Sequence, residues 1–141
     1  MAETIKIINQ ANSELNIIQG PRTLDLINRL TKLDAEEKET LLYESESILK
    51  NCVNPIETIG STTGIAIGYV QSGKTMSFTT LTALAIDNGF RIIIYFAGIK
   101  VNLLEQTTNR LKKDLLTDSD NSRFFKVYQS PTITDNVHLK I

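Results

Sequence analysis

Residues 68 to 75 read Gly-Tyr-Val-Gln-Ser-Gly-Lys-Thr and meet the pattern G-x-x-x-x-G-K-[ST] at every specified position. Nothing else in the chain restricts its fold as much. A polyphosphate is best held by backbone N–H groups that converge on its oxygens, and glycine lets the backbone turn and approach closely. A helix beginning near Lys74 adds unpaired amides and a positive dipole end. The Lys74 ammonium can reach the β- and γ-phosphates, and the Thr75 hydroxyl can ligate Mg²⁺. The pattern predicts an ATP–Mg²⁺ site formed by Gly68, Val70, Gln71, Ser72, Gly73, Lys74, Thr75 and Met76. Lys74 is the catalytic candidate and Thr75 the metal ligand.

The loop has the right neighbours for this reading. Ile65-Ala66-Ile67 is a short buried-strand candidate before it, and Lys74–Asn88 is helix-like after it. Arg91–Ala97 is β-branched and aromatic over a strand's length, as expected of a strand buried on both faces. Val101–Leu116 is amphipathic, with Val101, Leu104, Leu111 and Leu115 expected inward. Phe124–Tyr128 is a third strand candidate. Strand, helix, strand, helix, strand predicts an α/β fold with a parallel sheet.

The first ~55 residues read instead as helices. Ile8, Ala11, Leu15 and Ile18 share one face. Gly20-Pro21 then punctuates, and Leu26, Ile27, Leu30 and Leu33 form the next stripe. Asp34 with Glu37 looks like a capping box opening a helix from about Ala35 to Asn51. That helix would bury Leu41, Leu42, Ile48 and Leu49, with its glutamates in solvent. The expected division is an N-terminal helical region over 1–57 and a phosphate-loop segment over 58–141.

Composition narrows the class. The 141 residues carry a formal net charge of −1, made of −4 over residues 1–90 and +3 over 91–141. That excludes a polybasic nucleic-acid binder but leaves room for a local basic face. One cysteine, Cys52, excludes an intramolecular disulfide. It reads as a small packed residue, and His138, the single histidine, has no second ligand near it in sequence. No apolar run approaches the ~20 residues of a membrane helix, and the N-terminus lacks a signal-peptide layout. A cytoplasmic setting and no membrane partner are expected.

No Asn-Lys pair exists to read guanine, which argues against a GTPase. Beyond the strand candidate 91–97, Asn102, Gln106, Asn109 and Lys113 recur on one helix face. Amides and a cation suit a sugar-phosphate backbone.

These stretches together resemble the Z-one domain family of endonucleases, helicase-like phosphate-loop ATPases of bacterial restriction and defence. The resemblance rests on Val70–Thr75, on Ala85–Ile94, and on Asn102–Thr107 with Arg110-Leu111. More broadly, the region is similar to the first half of a superfamily-two helicase motor. There a leucine-x-x-glutamine element lies near nucleic acid, matched here by Leu103 and Gln106. The resemblance implies a RecA-like P-loop NTPase sheet, ATP and Mg²⁺ as cofactors, DNA as partner, and Asn102, Gln106, Thr107 and Arg110 as nucleic-acid contacts. It covers about a third of the chain.

Two features depart from it. Superfamily-two loops commonly carry glycine where this chain has Gln71, although glutamine is what the Z-one type shows. No Walker B element, an apolar strand ending in aspartate, follows the loop. The sheet is therefore expected to be incomplete, and the chain to be the N-terminal fragment of a longer ATPase with little hydrolysis of its own. A non-hydrolysing nucleotide-binding module that switches a protein partner is the alternative. A helical interaction domain with a vestigial loop is the third reading.

Overall fold

The computed structural model describes residues 15–56, 60–65, 74–96, 101–115 and 126–129. The chain divides into two compact units, Met1–Ile94 and Tyr95–Ile141. Described helices in the first unit are α1 (Pro21–Arg29), α2 (Ala35–Lys50) and α3 (Lys74–Asp87), and α4 (Val101–Asp114) lies in the second.

Local chemistry explains each boundary. Pro21 occupies the first turn of α1, where a missing N–H is harmless. Its N-cap is Gly20, which has no side chain to cap with. An Asp25–Arg29 ion pair at 3.1 Å spans one turn of the exposed face. In α2 the capping box forms. Glu37 N–H donates to Asp34 Oδ1 at 2.8 Å, and Asp34 N–H donates to Glu37 Oε2 at 3.0 Å.

Helix α3 ends in a Schellman turn. Gly89 takes φ +92°, Phe90 N–H donates to Ala85 O at 3.0 Å, and Gly89 N–H donates to Ile86 O at 3.1 Å. Phe90 then folds back onto the core formed by Leu49, Leu84 and Ala85. Leu15, Ile17, Cys52 and Leu81 pack around the same cluster. Both α1 and α2 pack against α3. From α1 the buried residues are Thr23, Leu26 and Ile27, and from α2 Leu41, Ser45 and Leu49. Burying one such leucine stabilises by roughly 1.5–3 kcal/mol.

The expected α/β parallel sheet is overturned. Among the described residues there is no strand. Arg91–Phe96 has strand-like composition, yet Ile92, Ile93, Ile94 and Phe96 are exposed, Ile94 at 70% and Phe96 at 95%. A strand exists only in a hydrogen-bonded ladder, and β-branched residues favour that ladder without supplying its second row. Ile65, at the start of the first strand candidate, is also exposed and outside any strand. Residues 126–128 of the third candidate are non-strand as well. Ala66, Ile67, Ala97, Phe124 and Phe125 lie outside the described residues.

The helical expectations fare unevenly. Helices α2, α3 and α4 lie where the sequence places helices, and α2 opens at Ala35 behind Asp34 as expected. The lead-in Leu15–Ile18, expected as a helix end, is non-helical. Asn88 explains this, because its amide takes both backbone groups of Ile18. Ile18 N–H donates to Oδ1 at 2.8 Å, and Nδ2 donates to Ile18 O at 2.9 Å. Leu42 and Ile48 are half-buried rather than buried, and Val101 is 64% exposed rather than inward.

Candidate phosphate-binding site

Lys74 and Thr75 are the first two residues of α3. The motif calls for a helix beside the loop, since amides at a helix N-terminus point outward, unpaired, toward an anion. Gly68, Val70, Gln71, Ser72 and Gly73 lie outside the described residues. Met76 follows in the first turn, half-buried.

The helix carrying these residues is anchored along one side. Thr79, Thr80, Ala83 and Leu84 have essentially no exposed surface. Thr82 returns its hydroxyl to Phe78 O at 2.8 Å, which satisfies a buried donor inside the helix. At the far end sits Asp87, whose side chain is 1% exposed. Its carboxylate accepts from Thr23 N–H and Thr23 Oγ1, both at 2.8 Å, from Arg22 N–H at 3.4 Å and from Arg22 Nη1 at 3.0 Å. The last residue of α3 therefore caps the first turn of α1. In the sequence Asp87 stands only as an acidic residue near a helix end. No local signal could reveal its role, because its partners lie 64 and 65 positions away.

The carboxylates bear on magnesium chemistry. Mg²⁺ takes hard oxygen ligands and usually keeps several waters, so a threonine hydroxyl with phosphate oxygens fits its preference. Asp87 is committed to α1. Asp114 lies on α4, 3.9 Å from Arg110. Among the described residues no group of three or more His, Cys, Asp or Glu could hold a metal. Thr75 stays the candidate ligand by the chemistry of its hydroxyl.

The nucleic-acid candidates lie on α4. Asn102, Gln106, Asn109, Arg110 and Lys113 are exposed on its surface. Thr107 is half-buried and its hydroxyl donates to Leu103 O at 2.8 Å, so that group is engaged within the helix. Thr108, Leu111 and Leu115 are buried. Cys52 is half-buried beside the core, its Sγ 3.6 Å from Ile48 O, and burial pushes its thiol pKa up. An activated nucleophile would be shifted the other way. His138 and Tyr69 lie outside the described residues. No described helix is long and apolar enough to cross a membrane.

Comparison with protein-family models, with curated proteins and with solved structures finds no match to this chain.

Proposed function

We propose that this chain binds a nucleoside triphosphate with Mg²⁺ through Gly68–Thr75, as part of a helicase-like ATPase that acts on DNA. One observation carries the reading: a complete G-x-x-x-x-G-K-[ST] pattern whose lysine and threonine lie on the well-anchored helix α3. The backbone of the loop cradles the phosphates, Lys74 neutralises the β- and γ-oxygens, and Thr75 joins the magnesium shell. The DNA part rests on the Z-one resemblance and on the exposed amides and cations of α4. Its restriction or defence setting, and any attached nuclease, rest on the resemblance alone.

A second reading, nucleotide binding without turnover, is favoured by one feature. Asp87, the carboxylate on the loop's own helix, is buried under α1 and unavailable to magnesium or water.

Equilibrium titration of the whole chain with Mg-ATP tests the binding. Saturable binding that Lys74→Ala lowers at least tenfold supports it, and equal binding by the variant ends it. Phosphate release with and without duplex DNA then separates the two readings.

A further inference from the structure

We propose that α1 is a separately releasable strap, hinged at Ile18 and latched by Asp87. Three observations combine. First, α1 has 9 residues, below the ~12–15 at which isolated helices become even marginal in water. It is helical because it is docked. Second, it carries no cap of its own. Gly20 offers no side chain, and the first-turn amides of Arg22 and Thr23 both go to the Asp87 carboxylate. Its N-terminus is completed only by α3. Third, the neighbouring residue holds the chain just before it. Asn88 grips both backbone groups of Ile18 and also donates to Leu84 O at 2.8 Å.

Two adjacent residues thus divide the work. Asn88 fixes the point where the chain arrives, and Asp87 decides whether the following helix stays down. The polar latch and the small apolar stripe of Leu26 and Ile27 hold α1. The capping box of α2 and the Schellman turn of α3 owe nothing to that latch. Opening the latch frees Pro21–Arg29, bares Thr23, Leu26 and Ile27, and leaves α2 packed on α3. Local opening in such cooperative units is a recognised mode of native proteins.

Amide hydrogen exchange on the full chain, at several sub-denaturing urea concentrations, tests this. The expected result is that amides of Leu24 to Arg29 exchange through an opening distinct from the one that exposes α2 and α3. Asp87→Asn should speed the α1 amides at least tenfold and speed those of α2 and α3 by no more than the same factor, because their opening also passes to states without the latch. Thr23→Ala, which keeps the charge pair, should act in the same sense and more weakly. Leu49→Ala should speed α2 and α3 while changing the α1 opening little. Exchange of α1 only together with α2 and α3, complete unfolding of the Asp87→Asn chain, or no response of α1 to Asp87→Asn would each overturn the proposal.

Discussion

Oδ2 of Asp87 accepts both the N–H and the hydroxyl of Thr23, each at 2.8 Å, so one carboxylate oxygen closes the first turn of a helix 64 positions earlier in the chain. The oxygen does for α1 what an N-cap side chain does elsewhere, with the added attraction of Arg22 at 3.0 Å. Asp87→Ala leaves the two amides and the hydroxyl of a fully buried threonine unsatisfied. We expect a loss of about 1–3 kcal/mol, read from urea unfolding followed by circular dichroism. Leu84→Ala, at a residue with 0% exposure, should lose more, about 2–5 kcal/mol.

Gly20 lies so close to the latch that a methyl group there has no room. An added Cβ would sit 2.6 Å from Cγ of Asp87 and 2.8 Å from its Oδ1. Asp87 is held by four hydrogen bonds and cannot swing aside freely. Gly20→Ala should destabilise by about 1–3 kcal/mol in the same unfolding assay, although alanine favours helices.

Gly89 is needed for a different reason. Its φ of +92° is left-handed, and the nearest atom to an added Cβ is 3.5 Å away, an ordinary contact. Strain, not crowding, sets the effect, and Gly89→Ala should lose about 1–2 kcal/mol. Gly64→Ala, where nothing lies within 4 Å and no positive φ occurs, should stay within about 0.5 kcal/mol. Paired thermal melts distinguish the two.

Cys52 links stability to alkaline pH. Burial raises its thiol pKa in the folded chain, so between the unfolded and folded values the native state holds more protons than the unfolded state. Its contribution is full below an ordinary thiol pKa of ~8.5 and declines as pH rises through that value. Unfolding titrations from pH 7 to 10 should show a fall that Cys52→Ala reduces. Iodoacetamide at pH 8 should modify Cys52 more slowly in the folded chain than in urea.

What the sequence reveals here is what a few neighbouring residues decide. Asp34 and Glu37 announce a capping box three positions apart, Pro21 opens a helix, and Asn88-Gly89 stops one. Each signal is complete within a turn or two of chain. The latch is not, because Asp87 at a helix end looks like surface charge until Thr23 is beside it. Leu15–Ile18 follows a helical spacing, but Asn88 claims the backbone of Ile18 from 70 positions away. Arg91–Phe96 has the composition of a buried strand, but a strand depends on its pairing as much as on its residues. The helix after the motif is legible as well, because the run from Lys74 to Asp87 lies together in sequence.

The exposed isoleucines Ile92, Ile93 and Ile94 have a practical side. Three consecutive β-branched residues with no proline and no charge among them form the core of an aggregation-prone window, and only Arg91 guards one flank. The purified chain should lose solubility as it is concentrated, faster in high salt that screens Arg91. Ile94→Lys, at the most exposed of the three, should extend the shelf life of concentrated stocks and raise the soluble yield on expression.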